Sequence, residues 1–177
     1  MTYEGPVSRA AEAHNDREGE LVPVHPSRAS IMGHPLHPIL VPLPIASLVG
    51  AFVSDVAYLR TGDRFWARAS KTLLATGLLT GLAAAPLGML DFASLPHARK
   101  PIDGWIHGIG NAAVLGLAAA NLAGRRGDGE RAIAGRDVLL SATTAALLGV
   151  SGWFGGELVF RHRIGVGDED ADQDPVG

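Results

Sequence analysis

The sequence predicts an all-α fold, a four-transmembrane-helix bundle built of two antiparallel hairpins. Four windows of about 20 residues are almost free of Lys, Arg, Asp and Glu, and about 20 apolar residues in a helix cross a hydrocarbon core of about 30 Å. A soluble bundle would place charged residues along one face of each helix, and these windows do not. The loops between the windows are short, which favours antiparallel packing of neighbouring helices.

The bounds of each predicted helix follow from where charged residues return. The four helices are predicted at about residues 37–59, 68–90, 105–123 and 137–160. Pro38, Pro42 and Pro44 crowd the start of the first helix. Pro44 removes a backbone hydrogen bond, so we expect an irregular, bent entry there.

The transmembrane domain is predicted at residues 31–167. Residues 1–30 mix charged residues with Ala and Pro, and residues 168–177 are an acidic run. Both segments have the composition of flexible polar tails.

Orientation is predicted from Lys and Arg near the membrane, which are retained on the cytoplasmic side. The first and third loops carry Arg60, Arg64, Arg68, Lys71, Arg125, Arg126, Arg131 and Arg136. The opposite side carries Arg28, Arg99, Lys100, Arg161 and Arg163. We therefore expect a multi-pass cell-membrane protein with both termini outside the cytoplasm.

Several function classes lack support in the sequence. The chain has no Cys, which excludes thiolate metal sites and covalent c-type haem. The net charge is −3 and basic runs are short, so nucleic acid is not an expected partner. No nucleophile motif or phosphate-binding loop occurs, and an enzyme acting on a small soluble substrate is not predicted.

Histidines cluster at one surface in the predicted topology. Five of the seven lie there: His34, His37, His97, His107 and His162. Asp91 and Glu157 are predicted near the same surface. Ionisable groups at membrane depth are costly and are candidates for function.

The two hairpins resemble each other in the order of these residues. The interval from His37 to Asp91 is nearly the same as the interval from His107 to Glu157. We interpret this as a parallel repeat that places His37 and His107 at equivalent positions on facing helices. Two neutral imidazoles from different helices are what a b-type haem requires. The candidate haem-binding residues are His37, His107, His34 and Asn111, the last at i+4 from His107.

Two alternatives stay open for this cluster. One is a Zn or Cu ion bound by His34, His37, His107, Asp91 and Glu157. The other is a cofactor-free arrangement in which the same side chains cap helices or form a structural hydrogen-bond network.

Two further features of the sequence are pairs of glycines at helical spacing and one acidic residue in the first helix. Glycines recur at i and i+4 in the pairs Gly77 and Gly81, Gly104 and Gly108, and Gly152 and Gly156. Such pairs let helices, or a flat cofactor, approach the backbone closely. We interpret Asp55 as a residue at the membrane–water interface that pairs with an Arg of a loop. The alternative is that Asp55 begins a path of polar groups through the bundle.

One segment is specific enough to suggest a family. The run from Gly33 to Pro38 (GHPLHP) leads directly into an apolar helix, and Gly88–Asp91 (GMLD), His107 to Asn111 and Gly155–Phe160 (GGELVF) follow. The chain resembles the DUF2231 family of bacterial membrane proteins over about residues 31–167. The resemblance implies a four-helix membrane protein, some of whose relatives are joined to or found beside redox modules such as Rieske-type domains.

The sequence therefore leads to two functional expectations of different class. The first is a small b-type-haem-binding or redox-accessory subunit, with a membrane redox protein as partner. The second is a membrane scaffold or assembly partner with a structural His, Asp and Glu network. Both expectations are compatible with a homo-oligomer. Transport through such an oligomer is a third expectation.

Overall fold

The computed structural model describes residue 27 and residues 29–32, 34–125, 133–162 and 164, with the side chains of residues 96 and 97 left out. Most of the predicted tails at 1–30 and 168–177 lies outside these residues. A two-stranded hairpin, Ser30–Ile31 with His34–Pro35, precedes the helices. The helices are Leu36–Leu40, Pro42–Thr61, Arg64–Ser94, Pro96–Arg99, Ile102–Gly124 and Gly135–Phe160.

Four stretches are long and apolar enough to cross a membrane, which confirms the predicted fold class. We call them spans 1 to 4: Leu36–Thr61, Arg64–Ser94, Ile102–Gly124 and Gly135–Phe160. Spans 1 and 2 form one hairpin and spans 3 and 4 the other; the hairpins meet through span 1 against span 4 and span 2 against span 3. Large apolar side chains such as Leu79, Ile109 and Leu139 project outward, as a lipid-facing surface requires.

Local signals explain where the helices begin and end. Span 1 is interrupted at Val41, between Leu36–Leu40 and Pro42–Thr61, because Pro42 and Pro44 have no N–H to donate. It ends at Gly62, whose φ of 67° is a left-handed conformation that glycine adopts without strain. Span 2 then begins at once, because the Asp63 carboxylate accepts a hydrogen bond from Phe65 N at 2.8 Å.

The core of the bundle is apolar and sits midway along the spans. It contains Leu48, Ala51, Leu74, Val114, Ala118 and Leu148. Of the predicted glycine pairs, Gly77 and Gly81 do face neighbouring helices, since a Cβ there would meet Leu48 and Leu115. Gly108 and Gly152 have open space around them, so close helix packing does not explain those two glycines.

The buried positions of the two hairpins follow one pattern. The buried residues of span 1 include Pro44, Leu48, Ala51 and Asp55. Each has a buried counterpart in span 3 or its C-terminal cap, and all four pairs have the same separation along the chain. The counterparts, in the same order, are Val114, Ala118, Asn121 and Arg125. Span 2 buries Ser70, Leu74, Gly77, Gly81 and Ala84, and span 4 again buries counterparts at a constant, slightly shorter separation: Asp137, Ser141, Thr144, Leu148 and Ser151. The bundle is therefore an internal repeat of two hairpins in the same orientation.

Candidate functional site

His37 and His107 meet at one end of the bundle, which we call the histidine end. Their ring centres lie 6.4 Å apart with the ring planes at 89°. His37 comes from the start of span 1 and His107 from the first turns of span 3, at the separation that relates the buried positions of these two spans. The repeat thus places the two imidazoles at equivalent positions in the two hairpins.

Each imidazole is held by the same kind of hydrogen bond, from Nδ1 to a backbone carbonyl of the neighbouring span. Nδ1 of His37 lies 3.0 Å from the Ala84 carbonyl oxygen, and Nδ1 of His107 lies 2.8 Å from that of Ser151. Since a carbonyl oxygen can only accept, Nδ1 donates in both cases. Ala84 and Ser151 are themselves counterparts in the repeat, so the two carbonyls occupy equivalent positions of spans 2 and 4.

A glycine one turn beyond each carbonyl makes room for the ring. A Cβ on Gly88 would lie 2.7 Å from Cε1 of His37, and a Cβ on Gly155 would lie 2.7 Å from Cε1 of His107. Real Cβ atoms do not approach so closely, so any larger residue would displace the imidazole. Gly88 and Gly155 therefore form two glycine sockets, one for each histidine.

Asn111 contacts only one of the two histidines in this way. Its Nδ2 lies 3.0 Å from Nε2 of His107, one helical turn along span 3. Because the amide nitrogen donates, Nε2 accepts, and His107 is a neutral imidazole with its proton on Nδ1. The two hydrogen bonds together define its tautomer.

The remaining predicted residues lie outside this pair. His34 is exposed in the second strand, with Nδ1 2.9 Å from the Met32 carbonyl oxygen. Glu157 lies 3.5 Å from Arg161. Within the part of the chain that the structure describes, no group of three or more His, Asp or Glu side chains is placed to hold a metal ion. The side chain of His97 lies outside the described residues.

The acids do not follow the predicted repeat. Asp91 is buried and accepts hydrogen bonds from Ser27 Oγ at 2.7 Å and Ala29 N at 3.3 Å, which anchors the segment before the hairpin. In the register that relates spans 2 and 4, the counterpart of Asp91 is Leu158, which directly follows Glu157. One residue turns a helix by about 100°, so Asp91 and Glu157 point in different directions.

A second polar cluster lies at the opposite end of the bundle, and the sequence predicted only one of its pairs, Asp55 with an Arg. Arg125 binds both carboxylate oxygens of Asp55, at 2.9 and 2.6 Å, and both side chains are buried. The Arg125 guanidinium also donates to Ser70 Oγ at 2.8 Å and Asn121 Oδ1 at 2.9 Å. Ser141 Oγ donates to Asp55 at 2.7 Å. The four spans thus each contribute to one network, which we call the arginine network.

The sequence did predict an arginine partner for Asp55, but placed the pair at the interface. Asp55 is fully buried, so the pair is part of the interior. The signal that could have located it is the separation between Asp55 and Arg125, which equals that between His37 and His107. Nothing in the hydropathy of span 3 marks Arg125, because that residue follows the apolar window directly.

Comparison with known proteins agrees with the architecture. No curated protein and no solved structure matches the chain. Residues 33–168 match the family described as predicted membrane protein (DUF2231). That range begins just before His34 and runs past the end of span 4, so it includes both glycine sockets and the arginine network. The chain therefore belongs to the DUF2231 family of predicted membrane proteins.

Proposed function

We propose that the protein is a redox-accessory membrane subunit in which His37 and His107 bind one b-type haem. The observation that carries the proposal is the meeting of two imidazoles from equivalent positions of the repeat, 6.4 Å apart between ring centres. Two imidazole nitrogens, each about 2 Å from one metal ion, place their ring centres roughly 6 Å apart. The observed separation is close to the one that His37 and His107 would have if they held one iron between them.

The tautomer of the histidines supports the same proposal. Axial imidazoles bind iron through a nitrogen lone pair and commonly donate the other ring N–H to a carbonyl, which fixes the ring orientation. His37 and His107 both donate Nδ1–H to a backbone carbonyl of the neighbouring span. Nε2 is then the atom of each ring that would hold the iron, and in His107 that atom would first have to release the Asn111 amide, which donates to it at 3.0 Å.

The number of ligands favours haem over a bare ion. A structural zinc ion takes four protein ligands, and the described residues bring two imidazoles together. A haem supplies four equatorial nitrogens of its own and needs two more ligands. A copper ion held by the two imidazoles is the outcome that the experiment must distinguish.

The experiment is a pair of absorption spectra, oxidised and dithionite-reduced, of protein purified in mild detergent from cells supplied with a haem precursor. A Soret band with sharp α and β bands on reduction is the expected result. His37→Ala and His107→Ala should each abolish the low-spin spectrum. His162→Ala, which removes a histidine bonded to Asp103 at 3.0 Å, is the matched control and should leave the spectrum unchanged.

Other outcomes redirect the assignment. A colourless protein that carries about one copper per chain by elemental analysis would replace haem by a bare ion. A colourless, metal-free protein would refute both forms of the proposal. His34→Ala tests whether His34 belongs to the site, as the sequence predicted. Loss of the spectrum in this variant would mean that it does.

A scaffold or assembly partner is the second candidate function. The observation that favours it is the complete pairing of polar groups: among the described residues, no buried side-chain nitrogen or oxygen lacks a hydrogen-bond partner. Under this function, His107→Ala would reduce folding or the recovery of a partner subunit without any change of colour. A membrane redox protein of the Rieske type is the partner that we propose for either function.

A further inference from the structure

A row of polar side chains lies on the outer surface of span 2, at the end of the bundle that holds the arginine network. Arg64, Arg68 and Thr72 follow one another at four-residue intervals, which places them on one side of the helix. All three residues are exposed. Further along the same span the large exposed residues are apolar, as at Leu79 and Leu82. The row is therefore polar where the rest of the outer surface suits lipid.

The side chains of Arg68 and Thr72 have no hydrogen-bond or ion-pair partner in the part of the chain that the structure describes. Other threonines of the spans satisfy their hydroxyl groups within their own helix. Thr80 Oγ1 donates to the Thr76 carbonyl at 2.7 Å, and Thr144 Oγ1 donates to the Leu140 carbonyl at 2.7 Å. Thr72 thus keeps a hydroxyl donor, and Arg68 keeps a positive charge, for a partner outside these residues.

The repeat shows that the fold of a hairpin does not require these two groups. In the register that relates spans 2 and 4, the counterparts of Arg68 and Thr72 are Gly135 and Leu139. Leu139 is exposed as Thr72 is, and span 4 packs against span 3 without a charge or a hydroxyl at either position. Arg68 and Thr72 are therefore available to a partner outside the bundle.

The length of span 2 and the local charge indicate where that partner lies. The 31 residues of the helix extend about 46 Å, whereas a hydrocarbon core is about 30 Å thick. Because charged groups are costly in the core, the turns that carry Arg64 and Arg68 lie in the headgroup layer. Residues 60–72 contain four basic residues and one acid, Asp63, so this part of the surface attracts anions.

We propose that Arg64, Arg68 and Thr72 bind the headgroup of an anionic phospholipid. The phosphate oxygens accept hydrogen bonds from the guanidinium groups, whose planar N–H donors suit phosphate. Thr72 lies one turn deeper, and its hydroxyl donates to an ester carbonyl of the same lipid. A zwitterionic lipid binds less well because its cationic group is repelled by the arginines. The site is independent of the proposed haem.

The experiment measures which lipid surrounds Trp66, which lies between Arg64 and Arg68 in the sequence. Trp105→Phe/Trp153→Phe leaves Trp66 as the single tryptophan of the full chain. This protein is reconstituted into phosphatidylcholine vesicles that contain increasing fractions of phosphatidylglycerol with brominated acyl chains, which quench nearby tryptophan. The brominated phosphatidylglycerol should quench Trp66 more strongly than the same fraction of brominated phosphatidylcholine.

Substitutions in the same background test the row itself. Arg68→Gln should lower the relative affinity for phosphatidylglycerol by up to about fivefold, the factor that one basic residue near an anionic surface contributes. Thr72→Val should lower it by about twofold, as the loss of one neutral hydrogen bond does. Arg161→Gln is the matched control, because it removes an equal charge, 74% exposed, at the other end of the bundle. It should leave the quenching of Trp66 unchanged.

Two results would overturn the proposal. One is equal quenching of Trp66 by the two brominated lipids, and the other is an unchanged relative affinity in Arg68→Gln. A further arm separates a lipid from free phosphate, whose chemistry is similar. Inorganic phosphate should affect the quenching no more than chloride does at the same ionic strength. If phosphate alone abolishes the preference for phosphatidylglycerol, the row binds free phosphate and the lipid assignment is wrong.

Discussion

The Asp55–Arg125 pair gives the sharpest prediction about stability. Asp55→Asn keeps the shape of the side chain but removes its charge. An amide NH₂ would then face the guanidinium, donor against donor, or leave one guanidinium N–H without its acceptor. Arg125 would keep its positive charge at 6% exposure.

The expected cost is large because the interior cannot solvate the remaining charge. Breaking a buried ion pair by removing one partner costs about 3–5 kcal/mol. An exposed pair would cost about 0–1 kcal/mol. The geometry supports the larger figure, since Asp55 is fully buried and accepts from both Arg125 and Ser141.

The assay is equilibrium unfolding in mixed detergent micelles, followed by far-ultraviolet circular dichroism. Asp55→Asn and Arg125→Met should each lower the free energy of unfolding by about 3–5 kcal/mol. The double variant should lose less than the sum, because neither charge is left alone. Asp63→Asn is the matched control, since Asn caps a helix as well as Asp does.

A loss of under about 1 kcal/mol in Asp55→Asn, the size expected of an exposed pair, would refute the reasoning. Strict additivity in the double variant would refute it as well, because the two residues would then not interact. Either result would mean that water reaches the arginine network.

Three further predictions follow from packing and charge. Gly88→Ala should displace His37 and cost about 1–3 kcal/mol, whereas Gly116→Ala, with nothing within 4 Å of its Cβ, should not destabilise; equal unfolding free energies would contradict the glycine socket. Leu74→Ala should cost about 2–5 kcal/mol in the same assay by leaving a cavity, and a smaller loss would mean that the core collapses. Alkaline phosphatase fused to the C-terminus should be active, and green fluorescent protein fused at the same place should not fluoresce, because the loop charges predict a C-terminus outside the cytoplasm. The reverse pattern would contradict the predicted orientation.

The sequence predicted the spans well, because a charge-free window is a direct consequence of the lipid core. It was less accurate at their ends. Span 2 begins at Arg64 rather than near residue 68, since Asp63 caps the helix and the headgroup layer tolerates charges in its first turn. Charge counting cannot separate such a turn from a loop.

The histidine site was predictable in part, for a different reason. His37, His107 and Asn111 stood out as polar residues near apolar windows, and the structure brings them together. Gly88 and Gly155 lie in segments that carry the family resemblance, but no role was predicted for them, because that role depends on which ring lies opposite. Asp91 and Glu157 were interpreted as equivalent residues because they follow their histidines at similar intervals. In the register that relates spans 2 and 4, the two positions differ by one residue.

The arginine network and the histidine site lie at opposite ends of one apolar core. Leu48, Leu74, Val114 and Leu148 pack together between them, so an apolar cluster separates the two polar sites. The repeat offers an explanation of the paired polar groups at the two ends. At one end the equivalent positions hold two imidazoles, for which we propose a shared ligand, and at the other they hold opposite charges, which join the two hairpins. Substitutions at the arginine network should then change stability without moving the spectrum of the histidine site.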